Sequence, residues 1–209
     1  MEAEMAHKDS RFQEPEYPPD EALVSRRVSL KPLDAANAQP AHPSQSLGTS
    51  LWDNPPIRAS ANIWHGSAEY GREITQRDTL LISLPIIWSG KGRRGKGDRN
   101  NFNLWNRRGQ VSLHLSFRRG DQTVRINAWS ASSVWGDEQY IEFPQVIRDE
   151  RSFDLGIKYD GEGSFGLHFG EESVSLDVDA YEPPDSFTYR VSDDGDAMFG
   201  ESVDTAMYY

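Results

Sequence analysis

The chain has 209 residues, no cysteine, a formal net charge of -11 at pH 7 and a mean hydropathy of -0.70. These values exclude disulfides and thiolate metal centres, argue against a nucleic-acid binder as a whole, and leave too little apolar surface for every segment to join a core. No apolar run approaches the roughly 20 residues that span a bilayer. The opening MEAEMAHKDSRF is charged and lacks the apolar stretch of a secretory signal, and no N-x-[ST] glycosylation acceptor occurs. A cytoplasmic protein of a reducing compartment is expected.

Eight of the twelve prolines fall within residues 1–56, among them Pro18, Pro19, Pro55 and Pro56. Ala, Ser, Gln and Asn fill much of the remainder without apolar periodicity. Such a composition predicts a disordered or extended Pro-rich segment over residues 1–70, in which Trp64 and Tyr70 are the residues able to dock on the folded part. A folded domain is expected over residues 71–209.

From about Asp78 the texture changes. TLLISLPIIW (79–88), FNLW (102–105), VSLHLSF (111–117), QTVRINAW (122–129) and QYIEFP (139–144) each read as a strand. So do FDLGIKY (153–159), SFGLHF (164–169), SVSLDVDAY (173–181) and FTYRVS (187–192). Turn signals such as RRGDQ, DGEG, FGEE and DDGD separate them, and YDGEGSF is the clearest hairpin, with Gly161 and Gly163 able to take positive φ. Short, evenly spaced strands without a convincing amphipathic helix predict an all-β protein, an antiparallel two-sheet β-sandwich.

Charge is uneven along these elements. Lys91, Arg93, Arg94, Lys96, Arg99, Arg107, Arg108, Arg118 and Arg119 stand together in sequence, with Asp98 the only acid among them. The run suits either a solvated glycine-rich loop, the expected reading, or a patch for sulfate, phosphate or an acidic surface. GKGRRGKGDRN lacks the G-x-x-x-x-G-K-[ST] spacing of a phosphate loop.

In VSLHLSFR, Val111, Leu113, Leu115 and Phe117 alternate with Ser112, His114, Ser116 and Arg118, the period of a half-buried strand. In the next strand Arg125, Asn127 and Trp129 point away from the core. SASSVWG then delivers Trp135, and Glu138, Tyr140 and Glu142 share one face of the strand after it. Three successive strands thereby present His, Arg, Asn, Glu and Tyr beside an aromatic. Sugar hydroxyls need planar donors and acceptors, and the C–H face of a pyranose packs on a flat aromatic. An Arg118–Glu138 pair would fix both side chains before a ligand arrives. The plainer alternative is an ordinary polar sheet face, with His114 bonded to a neighbour and Trp135 capping the core.

The run His114-Leu-Ser-Phe-Arg118, then Asn127, then Trp135-Gly-Asp-Glu138 and Phe143-Pro144, resembles the galectins, whose pattern is H-x-N-x-R, V-x-N and W-G-x-E-x-R with F-P just after. The likeness takes in FNL (102–104) upstream. Downstream, SDDGDAMFGESV looks like the family's terminal strand, so about residues 76–203 are covered. The shorter stretch from Arg118 to Asn127 implies a tighter hairpin. The resemblance implies a jelly-roll, galectin- or concanavalin-like sandwich and a β-galactoside site formed by His114, Ser116, Arg118, Asn127, Trp135, Glu138 and Tyr140.

Two of these positions depart from the pattern. Ser116 stands where the family has Asn, and Tyr140 where it has a second Arg. A lost guanidinium removes a charge-assisted bond of roughly 1.5–3 kcal/mol. The resemblance further implies glycans or glycoconjugates as partners, no cofactor, no catalysis, room for a homo-oligomer, and export without a signal peptide. One rival is a glycosidase, but Glu138 and Glu142 lie roughly 13 Å apart along a strand, too far for a catalytic pair. Another is a sandwich whose sugar site has decayed and which binds protein. No metal site is expected, because His114 and His168 lack ligand spacing around them.

Overall fold

The computed structural model describes residues 25–32, 57–62, 65–86, 99–130, 134–149, 151–178, 180, 182–191, 198–199 and 202–208. In chain order the strands begin with β1 (Ser25–Arg27), β2 (Lys31–Pro32), β3 (Ile57–Asn62), β4 (His65–Glu69), β5 (Thr79–Pro85), β6 (Arg99–Trp105) and β7 (Val111–Arg118). They continue with β8 (Thr123–Trp129), β9 (Glu138–Glu142), a short helix α1 (Gln145–Asp149), β10 (Ser152–Gly161), β11 (Ser164–Phe169), β12 (Glu172–Asp177), β13 (Ser186–Val191) and β14 (Ser202–Tyr208). Two seven-stranded sheets result, with orders β1-β9-β8-β7-β6-β13-β4 and β2-β12-β11-β10-β5-β14-β3. The fold is the expected two-sheet β-sandwich.

Period-2 alternation explains why these segments pair as they do. Leu113, Leu115 and Phe117 of β7, Val124 and Ile126 of β8, and Ile141 of β9 meet Leu80, Ile82 and Leu84 of β5 and Leu155, Phe165 and Leu167 of the facing sheet in one core. Phe102 lies 4.8 Å from Tyr189 and 5.5 Å from Phe117, ring centre to ring centre, and Phe117 meets Phe199 at 5.0 Å. Each such ring, fully buried, contributes about 1.5–3 kcal/mol. The β10–β11 turn depends on Gly163, whose φ is +83° and whose absent Cβ would lie 2.3 Å from the Val178 carbonyl oxygen. That carbonyl approach tolerates no side chain.

Several features depart from the expectations above. Of the stretch assigned to an extended or disordered segment, residues 1–70, residues 1–24, 33–56 and 63–64 lie outside the described residues, and the rest supply four strands: β1 pairs with β9, β2 with β12, β3 with β14 and β4 with β13. The β1–β9 pairing is parallel, so that sheet is mixed rather than wholly antiparallel. Residues 25–32 cross from one sheet to the other as a strap, and Val28 and Leu30 pack against the core at the open side of the sandwich. Tyr70 is buried, with its backbone N–H donating to the Asp185 carbonyl, whereas Trp64 lies outside the described residues. The last strand begins at Ser202, beyond most of SDDGDAMFGESV. Arg118 pairs with Thr123 across the four-residue connection 119–122, the tight hairpin that the short spacing implied. No helix among the described residues is long and apolar enough to cross a membrane.

Candidate functional site

β7, β8 and β9 are neighbours in their sheet, so the polar side chains of three consecutive strands share its outer face. Register brings them opposite one another: His114 faces Asn127, Ser116 faces Arg125, and Arg125 faces Tyr140. Seven sequence-selected residues are thus distributed as His114, Ser116 and Arg118 on β7, Asn127 on β8, Trp135 just before β9, and Glu138 and Tyr140 on β9.

Glu138 is the hub. Its Oε2 lies 3.4 Å from Arg118 Nη2, while its Oε1 accepts from Arg125 Nη1 at 2.9 Å and from Ser25 Oγ at 2.5 Å. Arg125 Nη1 also donates to Ser25 Oγ at 3.0 Å, and the guanidinium carbon sits 4.7 Å over the Tyr140 ring. Both carboxylate oxygens therefore hold a cation, and the two guanidiniums are fixed in orientation. Arg125 was visible in the sequence as an outward residue but was not selected as part of the site. Its signal was its place two residues before Asn127 on the same face, across from the position where the galectin pattern has its second Arg. Ser25, 113 residues before Glu138 in sequence, gave no signal at all.

A second group surrounds the imidazole. His114 Nδ1–H donates to Asn103 Oδ1 at 2.6 Å, which leaves Nε2 as the acceptor in the neutral ring. Asn103, on β6 directly opposite His114, also escaped selection; FNLW holds it as the polar member of an alternating strand. The Trp135 ring meets the His114 ring edge-on, with centroids 5.1 Å apart, and its backbone bridges Trp129. Asn127 Oδ1 accepts from the Ala128 N–H at 2.8 Å. Ser116 Oγ is buried with no hydrogen-bond partner.

The face is not wet. All eight residues of β7 are buried, where the sequence predicted a half-buried strand. Ser116 is 0% exposed, His114 and Asn127 1%, Glu138 2% and Arg118 4%, whereas Trp135 and Tyr140 keep part of their surface. Among the described residues Ser25 and Trp135 contact this face, and the Glu182 carbonyl accepts from Ser112 Oγ at 2.9 Å on the same strand. The burial is tolerable because the charges are paired and the imidazole is hydrogen-bonded.

Among the described residues the basic run does not form one patch. Arg118 and Arg119 are buried, and Arg108 pairs with Glu182 at 2.9 Å. Arg107 lies 3.5 Å from Glu73 and 3.6 Å from Asp185. The two ends of β6 are roughly 20 Å apart, so Arg107 and Arg108 sit away from Arg118; Lys91, Arg93, Arg94 and Lys96 lie outside the described residues. Glu142 pairs with Arg27 at 2.8 Å and so is engaged separately from Glu138. His168 belongs to the other sheet, and burial, reinforced by Lys158, holds its pKa below the ordinary histidine value. Among the described residues no three His, Cys, Asp or Glu side chains cluster as metal ligands.

No protein-family model matches the sequence, and no curated protein does. Solved structures do. The Caenorhabditis elegans galectin LEC-6 aligns with a TM-score of 0.53 at 11% identity, over 73% of this chain and 96% of that one. A tetrameric galectin from the sponge Cinachyrella sp. aligns at 21% identity and a TM-score of 0.48, over 69% of this chain and 99% of that one. A toad ovary galectin in complex with thio-digalactose aligns at 14% identity and a TM-score of 0.46, over 71% of this chain and 98% of that one. The two-sheet arrangement shared with the nematode protein over most of both chains is that of a galectin-like β-sandwich.

Proposed function

We propose that the protein is a lectin, a glycan-binding module without catalytic activity, whose outer sheet face takes a β-galactoside or a related glycan. The observation that carries this reading is the Arg118–Glu138–Arg125 assembly beside His114, Asn127 and Trp135 on three adjacent strands. Paired guanidiniums around one carboxylate supply rigid, charged donors for sugar hydroxyls, and Trp135 offers the flat apolar partner for a pyranose face. Arg125 delivers from β8 the guanidinium that Tyr140 lacks on β9.

A second reading, a galectin-like sandwich with a decayed sugar site that binds protein, is favoured by one observation, the nearly complete burial of His114, Asn127, Arg118 and Glu138. A glycan array followed by lactose titration separates the two. In the lectin reading the wild type retains galactose-terminated glycans. Trp135→Ala and Arg118→Ala each weaken binding by about 1–3 kcal/mol, and Trp135→Ala leaves the melting temperature nearly unchanged because the ring is only partly buried. A folded wild type that retains no glycan selects the protein-binding reading.

A further inference from the structure

The strap carries a feature unrelated to its pairing. Arg26-Arg27-Val28-Ser29-Leu30 is the one place in the sequence where two adjacent arginines precede a hydroxyl side chain by three and two residues. Arg26, Arg27 and Ser29 are exposed, while the alternating Val28 and Leu30 turn to the core. Ser29 occupies the link between β1 and β2, whose pairings are only three and two residues long, so opening of the link breaks few hydrogen bonds. Two consecutive guanidiniums followed by a serine and an aliphatic residue suit a kinase groove lined with carboxylates and ending in a small apolar pocket.

We propose that Ser29 is a phosphorylation site for an arginine-directed serine kinase, and that the phosphate detaches the strap from the sandwich. In the transfer, Ser29 Oγ attacks the γ-phosphorus of ATP. The O–P bond forms as the bond from that phosphorus to the β–γ bridging oxygen breaks, ADP leaves, and the hydroxyl proton passes to the kinase base.

Detachment follows from what surrounds the acceptor. Ser29 lines a cleft of about 470 Å³ with three carboxylates, Glu142, Asp149 and Glu172, and two guanidiniums, Arg27 and Arg148. Arg27 is already engaged by Glu142 at 2.8 Å, and Glu172 is held by the Gln145 N–H at 2.6 Å. A phosphate adds about -1.5 to -2 charges to a cleft where carboxylates already outnumber cations, so like-charge repulsion pushes residue 29 outward. Val28 N–H, which donates to the Tyr140 carbonyl at 2.8 Å, and Ser25 Oγ, on Glu138, leave with it. The consequence for glycan binding rests on the lectin reading; the phosphorylation and the detachment do not.

The test uses the full chain, ATP and the cyclic-AMP-dependent protein kinase as the arginine-directed probe. Peptide mass mapping is expected to find phosphate on Ser29, absent in Ser29→Ala and acquired on the order of tenfold more slowly in Arg26→Ala. Amide exchange at Val28 and along β9 is expected to quicken about tenfold or more in the phosphorylated chain, and to quicken also in Ser29→Asp. Failure of the kinase to modify Ser29 overturns the site. Modification with exchange at Val28 unchanged or slowed overturns the detachment. If the strap detaches and lactose binding does not change, the coupling of the strap to the site is overturned; a wild type that binds no lactose at all overturns the lectin reading instead, and exchange still reports the strap because it needs no sugar.

Discussion

Arg125, which we propose supplies from β8 the guanidinium that the galectin pattern places at position 140, is the most informative detail at the scale of single residues. The guanidinium reaches Glu138 at 2.9 Å from across the β8–β9 pairing and rests on the Tyr140 ring, so the tyrosine serves as its platform. Arg125→Ala is expected to weaken lactose binding by about tenfold or more, the loss of one charge-assisted bond. Adding Tyr140→Arg to that variant is expected to recover most of the affinity, as read by calorimetric titration of both proteins. A double variant as weak as the single one would show that Arg125 is structural only.

Asp78 offers a different residue-scale prediction. Burial raises its pKa, but the Arg72 guanidinium at 2.7 Å on both carboxylate oxygens, with the Thr75 N–H and hydroxyl, more than offsets this and holds the carboxyl below 3.8. A lowered folded-state pKa gives stability that is fully present above the unfolded value and is lost as pH falls through the folded one. Melting temperatures followed from about pH 6 to pH 2 should therefore fall less steeply in Asp78→Asn than in the wild type, from a lower starting point. Which side chains of β7, β8 and β9 face away from the core was legible in the sequence, because strand parity dictates it. The sequence did not reveal which partners they take, because Arg125–Glu138 and His114–Asn103 depend on register between strands.

At the scale of elements, the strap, with β3 and β4, is what sequence reading lost. Nine strands between residues 79 and 191 were legible because each has an apolar side repeated at period two and turn residues at its ends. Ser25–Arg27 and Lys31–Pro32 have neither, and only Val28 and Leu30 mark them as belonging to the sandwich. Their contribution is measurable by comparing a chain that starts at residue 25 with one that starts at residue 33. Two partly buried aliphatic side chains amount to about 2 kcal/mol, or a fall of roughly 4–8 °C in melting temperature for a protein of this size. Equal melting curves would mean that the strap contributes only contacts to Glu138 and Tyr140. The same scale explains α1: Pro144 ends β9's segment, and the Ile147 side chain carries the following turn into the core while the chain changes sheets.

At the scale of the whole molecule, the architecture followed from alternation and spacing, while closure of the polar face did not. A β-sandwich sequence states which side chains point outward; whether solvent meets them depends on segments that arrive from elsewhere, Ser25 on Glu138 being one such contact. The strap's two pairings have a further consequence. β9 and β12 would otherwise end their sheets with rows of unsatisfied backbone N–H and C=O groups, which recruit strands from other chains. One eight-residue segment covers part of both rows at once, three residues of β9 and two of β12, and its last residue, Pro32, has no N–H with which to recruit a strand in turn. A chain that starts at residue 33 is therefore expected to self-associate as its concentration rises, visible as earlier elution and greater mass by light scattering, despite the repulsion between copies that each carry a large negative charge. On that expectation the strap keeps one copy of the protein from becoming a template for the next.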